Sequence, residues 1–197
     1  SANPEMHFVH APGLKVVYPS TARDAKGLLK SAIRDSNPVL FFEHKLLYRG
    51  KKEEIPAEDY AIPLGKAALR REGRHLTIVS YAAMVHVALE AANRLAGEGI
   101  EAEVLDLRTL QPLDSESIFA SLKRTNRLLI VHEDTRTGGI ASEIAALVCE
   151  RAFDDLDAPV ARVTALDTPV PYAKPLEDFF LPNAEKVVAA ARELAQY

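Results

Sequence analysis

The sequence predicts an α/β protein with a doubly wound, mostly parallel sheet. Two observations predict this fold. Short apolar runs alternate with helical stripes along most of the 197 residues, and the first three regular elements form a strand–helix–strand unit with tight connections. Two strands joined through a helix lie parallel, because a parallel pair needs a crossover connection.

A strand–helix–strand unit begins the regular structure. The first strand, Leu14–Tyr18, ends at Pro19, which has no amide hydrogen to continue a ladder. Ser20 or Thr21 then caps a helix, because either hydroxyl can accept a free amide hydrogen of the first turn. One apolar stripe at helical spacing predicts its buried face: Ala25, Leu28, Leu29, Ala32 and Ile33. A short apolar run, Val39–Phe42, supplies the second strand.

The later elements repeat this alternation. Strands are predicted over Leu76–Ser80, Glu103–Leu107, Leu128–His132 and Val160–Leu166. Helices follow the first three, and a proline-rich loop after the fourth leads to a terminal helix. Residues 45–63 show no sustained periodicity, so we expect a first domain over residues 1–48, a linker over 49–66 and a second domain over 67–197.

Composition excludes two classes of protein. No apolar run approaches the ~18 residues of a membrane span. Residues 1–74 hold 13 basic and 9 acidic side chains, whereas residues 75–197 hold 11 and 19. The acidic second part argues against a nucleic-acid partner and favours a basic one.

The single cysteine, Cys149, lies in an apolar helical pattern, so we expect a buried thiol, no disulfide and an intracellular protein.

Two motifs lie where a strand meets the following helix, at the carboxyl end of the sheet, where α/β proteins usually bind ligands. The segment His132–Asp134 suits general acid–base chemistry, because a carboxylate tunes a neighbouring histidine; an interface or structural role is the alternative. The segment Thr137–Gly139 lacks the glycine spacing and the lysine of nucleotide-binding loops. We therefore expect a tight turn there, in which glycines let the strand and the helix approach closely.

Two further features suggest binding. Acidic residues near the carboxyl-terminal elements form either a solvated face or a docking patch for basic side chains: Asp154, Asp155, Asp157, Glu177 and Asp178. At Ala32–Asn37 a helix end exposes carbonyl oxygens that lack partners within the helix. A sharp turn after the helix lets such oxygens converge on a cation, and contact with water is the alternative.

The residues resemble a known family along nearly the whole chain. The matching segments are PGLKVV (12–17), DAKGLL (24–29), AIRDSNP (32–38), FFEHKLLYR (41–49), LDLRTLQPLD (105–114), TGGIASEI (137–144), APVARV (158–163) and DTPVPYA (167–173). They resemble the later part of the beta subunit of thiamine-diphosphate-dependent 2-oxo acid dehydrogenases. These are the decarboxylating components of the pyruvate and branched-chain complexes and are related to transketolase. The segments FFE (41–43), LYR (47–49) and TGG (137–139) are more similar to the branched-chain type.

The resemblance implies the identity of the domains and the chemistry. The first domain would be the last, truncated part of an α/β pyrimidine-binding domain, and the second a transketolase carboxyl-terminal domain. The implied reaction is oxidative decarboxylation of a 2-oxo acid with acyl transfer to lipoyl groups. Thiamine diphosphate and magnesium would be held by the alpha subunit or by the other part of a fused chain. The family's catalytic histidine and activating glutamate would precede Ser1, so we expect a fragment that neither binds the cofactor nor catalyses alone.

The resemblance also implies sites and partners. The AIRDSN segment matches a structural potassium site, with the backbone carbonyls of Ala32, Ile33, Asp35 and Asn37 as ligands. The implied partners are an alpha subunit or fused alpha-like half, a second beta subunit, and a dihydrolipoyl acyltransferase core. The basic subunit-binding domain of that core would dock near Asp157. We expect no nucleic-acid or membrane partner, and a location in the cytoplasm, or in the mitochondrial matrix of a eukaryote.

Two alternative functions stay open at this point. One is a stand-alone protein-interaction module that uses the same fold. The other is a piece of a transketolase or deoxyxylulose-phosphate synthase, which the potassium-type segment and the short linker disfavour. We also expect self-association, because a truncated first domain would leave four apolar strand residues without flanking strands: Val16, Val17, Leu40 and Phe41.

Overall fold

The computed structural model describes residues 3–50 and 52–197; residues 1, 2 and 51, which belong to the predicted first domain and linker, lie outside the described residues. The helices are α1 (Glu5–Val9), α2 (Ala22–Arg34), α3 (Met84–Ala96), α4 (Ser115–Thr125), α5 (Ile140–Arg151), α6 (Lys174–Phe180) and α7 (Ala184–Leu194). The strands are β1 (Lys15–Val17), β2 (Val39–Phe41), β3 (Ala68–Arg71), β4 (Leu76–Ser80), β5 (Ala102–Asp106), β6 (Thr109–Gln111), β7 (Leu128–Thr135) and β8 (Ala161–Ala165). Short 3-10 helices cover Lys45–Arg49 and Phe153–Asp155.

The larger sheet has five strands in the order β3-β5-β4-β7-β8. Strand β4 runs parallel to β5 and β7, and β7 runs parallel to β8, whereas β3 is an antiparallel edge strand. Helices α4 and α5 pack into the hydrophobic core on one face, and α3 and α7 pack into the core on the other. The predicted doubly wound, mostly parallel sheet is confirmed. Among the described residues, no helix has the length and apolar character needed to cross a bilayer.

The smaller sheet has three strands in the order β2-β1-β6. Strand β6 follows directly after the larger sheet's β5 and pairs antiparallel with β1, so it joins the two predicted domains. Because β1 is paired on both sides, Val16 and Val17 are fully buried, and the expectation that they lack flanking strands is wrong. Leu40 and Phe41 are half-buried, on the edge strand β2.

Helix α2 is rotated relative to its predicted apolar stripe. Thr21 caps it as expected, its side chain accepting the amide hydrogen of Asp24. Leu28 is fully buried, but Leu29 is 42% exposed and Ile33 is 76% exposed, so the predicted stripe does not face the core. The segment before β3 covers a different side of the helix, where the backbone N–H of Ile62 donates to the carbonyl oxygen of Gly27.

Four regular elements were not predicted from the sequence: α1, β3, β6 and α6. Strand β3 is a charged edge strand and β6 has only three residues, so neither carries an apolar run. Helix α6 lies in the predicted proline-rich loop, where Pro175 occupies a first-turn position that a helix tolerates. Cys149 is exposed, contrary to expectation, because the buried face of α5 is formed by residues such as Ile144 and Val148.

Candidate functional site

The topological switch point of the larger sheet lies between β4 and β7. From β4 the chain passes to β5 on one side, and then crosses to β7 on the other. Tyr81 follows the carboxyl end of β4, and its ring stacks on His132 of β7 with a centroid distance of 6.3 Å and an interplanar angle of 23°. Doubly wound sheets bind ligands in the crevice at such a point. The sequence correctly predicted that His132 lies at this end of the sheet.

Helix α1 and the end of β1 close this crevice. The Tyr81 hydroxyl donates to Glu5 Oε1 at 2.6 Å, and the Tyr18 ring lies 5.7 Å from the Tyr81 ring. We call Glu5, Tyr18, Tyr81 and His132 the crevice cluster. Glu5 and His132 are fully buried. Within the described part of the chain, Glu5 Oε2 and both ring nitrogens of His132 have no hydrogen-bond partner.

Burial shifts the protonation of the crevice cluster. Loss of hydration, together with a smaller contribution from the nearby carboxylates of Asp134 and Glu133, raises the pKa of Glu5 to about 7, against the hydrogen bond from Tyr81. Burial lowers the pKa of His132 to about 4, since the charged imidazolium would lose its hydration. At neutral pH the imidazole is therefore uncharged, and Glu5 carries a proton in a large fraction of molecules.

A second histidine links the smaller sheet to β7. His44, which follows β2, places its Nε2 2.8 Å from Glu133 Oε2, and both side chains are largely buried. Within the larger sheet, Arg70 of β3 donates to Asp106 of β5 at 2.8 Å, and it also contacts Asp24 of α2. Burial raises the pKa of Asp106, although Arg70 opposes that shift. The His44–Glu133 pair joins the end of β2 to β7, and the Arg70–Asp24 pair joins α2 to β3.

A cavity of about 720 Å³ lies beside these links. It adjoins the ends of β1 and β2 and the amino end of α2. Its lining includes Ser20, Thr21, Glu43, His44, Tyr48, Lys52, Glu53 and His86. The N–H of Arg23 in the first turn of α2 donates to Glu53 Oε1 at 2.5 Å, so a carboxylate of the chain itself occupies that helix end.

The predicted ion segment forms a compact turn at the end of α2. The Asp35 carboxylate accepts hydrogen bonds from the backbone and side-chain amides of Asn37, at 2.9 and 3.0 Å, and pairs with the Lys15 ammonium. The hydrogen bond from Lys15 lowers the pKa of Asp35 to about 2, and the bonds from Asn37 add to this effect. The carbonyl oxygen of Ala32 accepts the N–H of Asp35 at 3.3 Å. The side chain of Ile33 points to solvent.

The predicted acidic group is divided between the two ends of the larger sheet. Asp154 and Asp157 are exposed and precede β8, at its amino end. Glu177 and Asp178 lie on α6, beyond the carboxyl end of β8, and both pair with Lys174. The expectation of a single acidic group is therefore wrong, because β8 separates its two halves.

Sequence reasoning missed Glu5, Tyr18, Tyr81 and His44 as members of a site. Glu5 and Tyr81 are 76 residues apart, and no local motif links them. Among residues 3–50 and 52–197 there is no group of three or more His, Cys, Asp or Glu side chains suited to a metal ion. A magnesium site made of such side chains is thus not present in that part of the chain.

The fold and the crevice define a two-part α/β protein in which a small sheet closes the switch point of a doubly wound one. The family model for the transketolase C-terminal domain matches residues 65–187, and the model for the transketolase pyrimidine-binding domain matches residues 1–51. The chain belongs to the transketolase C-terminal domain family. This result confirms the resemblance found in the sequence.

Curated relatives match nearly the whole chain. It is 52% identical over 198 residues to 2-oxoisovalerate dehydrogenase subunit beta of Bacillus subtilis (strain 168), covering 100% of this chain and 61% of the relative. It is 47% identical over 201 residues to pyruvate dehydrogenase E1 component subunit beta of the same organism, covering 98% and 62%. Acetoin:2,6-dichlorophenolindophenol oxidoreductase subunit beta, also of B. subtilis, is 52% identical over 187 residues, covering 95% and 54%.

A solved structure agrees with these relatives. The split-gene transketolase described as an inactive beta4 tetramer superposes with a TM-score of 0.81 at 27% identity, covering 100% of this chain and 62% of that one. The chain therefore spans well under two thirds of the length of these proteins.

Proposed function

We propose that this chain forms the carboxyl-terminal part of the beta subunit of a thiamine-diphosphate-dependent 2-oxo acid dehydrogenase, the component that decarboxylates a 2-oxo acid and transfers the acyl group to lipoyl groups. The identity of 52% along the whole chain to 2-oxoisovalerate dehydrogenase subunit beta carries the proposal. When bound to the complete enzyme, thiamine diphosphate with magnesium supplies the electron sink. Residues 1–48 belong to the pyrimidine-binding domain, 49–66 to a linker and 67–197 to the carboxyl-terminal domain.

The role of this chain is positioning and subunit contact, with no catalytic residue of its own. The buried pairs His44–Glu133 and Arg70–Asp24 support that role, because they fix the pyrimidine-domain segment against the carboxyl-terminal domain. We expect the isolated chain, supplied with thiamine diphosphate and magnesium, to turn over no 2-oxo acid. Measurable release of carbon dioxide would contradict this role.

A chimera tests the proposed function. This chain replaces the matching part of the B. subtilis 2-oxoisovalerate dehydrogenase subunit beta, and the product is assembled with the alpha subunit of that enzyme. We expect decarboxylation of 2-oxoisovalerate, with the unaltered relative as the control. A chimera that folds and assembles but decarboxylates none of the tested 2-oxo acids would refute the proposal.

A second candidate function is that of an acetoin:acceptor oxidoreductase subunit. It is supported by the equal identity of 52% to the acetoin:2,6-dichlorophenolindophenol oxidoreductase subunit beta. The same chimera, assayed with acetoin and dichlorophenolindophenol, distinguishes the two. Bleaching of the dye with acetoin, together with no decarboxylation of 2-oxoisovalerate, would favour the second candidate.

The end of α2 is proposed as the potassium site, with the carbonyl oxygens of Ala32, Ile33, Asp35 and Asn37 as ligands. The turn supports this assignment, because the last carbonyls of a helix lack the usual i+4 partner and the Asp35 carboxylate is already bonded to Lys15 and Asn37. The Ala32 oxygen, which accepts the N–H of Asp35, keeps a second lone pair for an ion. We expect a higher midpoint of thermal unfolding in potassium chloride than in choline chloride at equal ionic strength. Equal midpoints would contradict an ion site.

The proposed partners are an alpha subunit or a fused alpha-like half, a second beta subunit, and a dihydrolipoyl acyltransferase core. Exposure of Asp157 beside the exposed Asp154 supports docking of a basic domain there. We expect Asp157→Asn to weaken binding of such a domain, whereas Asp178→Asn, at the other end of the sheet, leaves it unchanged. Equal effects of the two substitutions would refute the assignment.

The proposed location is the cytoplasm, or the mitochondrial matrix in a eukaryote, as for relatives named mitochondrial.

A further inference from the structure

Among the described residues, helix α1 contacts the rest of the protein through one buried side-chain hydrogen bond and a few partly buried apolar side chains. The polar contact is the hydrogen bond from Tyr81 to Glu5. The apolar contacts come from Met6, Phe8 and Val9, which pack against the core only in part. A five-residue helix has little stability of its own, so its attachment depends on these contacts.

The surroundings of Glu5 are rich in acidic groups. Asp134 and Glu133 on β7 repel a charge on Glu5, and the phenol groups of Tyr18 and Tyr81 face it from the ends of β1 and β4. The imidazole of His44 is bonded to Glu133. No salt bridge reaches Glu5 from any described lysine, arginine or histidine. An ionised Glu5 would be both buried and repelled.

The backbone beside Tyr81 is fixed in an unusual conformation. Ala82 has a φ of 49°, in the left-handed region, which costs a residue with a Cβ about 1 kcal/mol. The ring of Tyr81 is 2% exposed and is stacked on His132. Tyr81 is therefore held in place independently of α1, so loss of the contact would displace Glu5 and its short helix and leave Tyr81 in position.

We propose that Glu5 and Tyr81 form a proton-controlled latch, which holds α1 in the crevice while Glu5 is protonated and releases it when Glu5 ionises. The released carboxylate regains water, and the repulsion from Asp134 and Glu133 is relieved. His132 does not titrate in this step, because Tyr81 and Gly139 continue to cover it. The imidazole lies so close to Gly139 that a Cβ added to this glycine would be 2.6 Å from the imidazole Cε1.

Proton linkage gives the size of the effect. In water the carboxyl titrates near 4.5, whereas in the crevice the pKa of Glu5 is about 7. The unlatched form therefore binds fewer protons between these values, and the opening equilibrium constant rises about 40-fold between about pH 5 and pH 7. Above about pH 7 it levels off, because Glu5 is then ionised in both forms.

Hydrogen exchange of the full 197-residue chain tests the latch. The protection of amides in residues 3–14 is measured by mass spectrometry at pH 5, 6 and 7 and corrected for the intrinsic exchange rate. We expect protection in the native protein to fall about 40-fold over this range. In Glu5→Gln, a neutral side chain of the same shape, protection is expected to stay constant. Glu54→Gln, at an exposed position, is the matched control and should follow the native protein.

Two results would overturn the latch. One is constant protection of residues 3–14 in the native protein between pH 5 and pH 7, which is decisive even if a variant fails to fold. The other is a Glu5→Gln profile that falls with pH as steeply as the native one. Tyr81→Phe gives a further check: it lacks the hydroxyl donor, so its amides in residues 3–14 should be less protected than native ones at pH 5. Equal protection would argue against the hydrogen bond as the holding contact.

Discussion

Replacing Arg70 by methionine removes the cation that two buried carboxylates share. The Arg70 side chain is 22% exposed, while those of Asp106 and Asp24 are 0% and 4% exposed. Removing one partner of such an ion pair leaves the other charge buried and uncompensated, which typically costs 3–5 kcal/mol. Arg108 lies 3.4 Å from Asp24 and compensates that carboxylate in part. We therefore expect Arg70→Met to lower the free energy of unfolding by about 3 kcal/mol.

Urea unfolding followed by circular dichroism at neutral pH measures this loss. The matched control is Arg151→Met, which breaks a pair with Glu116 in which the side chains are 52% and 74% exposed. A pair so exposed contributes about 0–1 kcal/mol. If Arg70→Met loses no more stability than Arg151→Met, the buried ion pairs of Arg70 with Asp24 and Asp106 do not stabilise the fold, and the reasoning is refuted.

The pH dependence of the Arg70 variant provides an independent check. Burial already raises the pKa of Asp106 in the native protein, and without Arg70 that pKa rises further. A carboxyl whose pKa is raised by folding binds more protons in the folded state, so the variant should recover stability relative to the native protein as the pH falls. A difference that stays constant with pH would indicate that lost packing, not charge, causes the destabilisation.

Three further predictions concern other parts of the fold. Between pH 4.5 and 6.5 the lowered pKa of His132, about 4, makes the native protein more stable as the pH rises, while the raised pKa of Glu5, about 7, makes it less stable, so the two effects oppose each other. Glu5→Gln removes the Glu5 effect alone, so in urea unfolding the variant should gain about 2 kcal/mol of stability relative to the native protein from pH 4.5 to 6.5, and a constant difference would contradict it. Gly73→Ala places a Cβ 2.1 Å from the backbone nitrogen of Glu103 and should cost more than about 2 kcal/mol, whereas Gly50→Ala, with its nearest atom at 3.4 Å, should cost little in the same assay. Ile33→Glu, at a 76% exposed position, should reduce self-association measured by light scattering without changing the unfolding free energy; a native chain that stays monomeric at high concentration would refute this.

Local patterns predicted much of the larger sheet and part of the site. Apolar runs placed β4, β5 and β8 to within one residue at each end; β4 lies between two parallel strands and is buried along its whole length. The cap of α2 at Thr21 followed from a hydroxyl in the right position. The position of His132 at the carboxyl end of the sheet followed from the end of an apolar run. The sequence also contained the family resemblance, which the family models confirm.

Pairings between distant segments decided which residues of β1 and α2 are buried. The burial of Val16 depends on β6, whose three residues carry no strand pattern and pair with β1 only because the chain returns there after β5. The exposed face of α2 depends on the segment that covers its opposite side, where Ile62 contacts Gly27.

The sequence by itself determined the order of the elements, the fold class and the family, because these depend on spacing and composition within short windows. Only the tertiary structure decided that Glu5 meets Tyr81, 76 residues away, in a buried crevice. The physical reason is that a shifted pKa depends on the hydration and the charges around a group, and these exist only after distant segments have packed together.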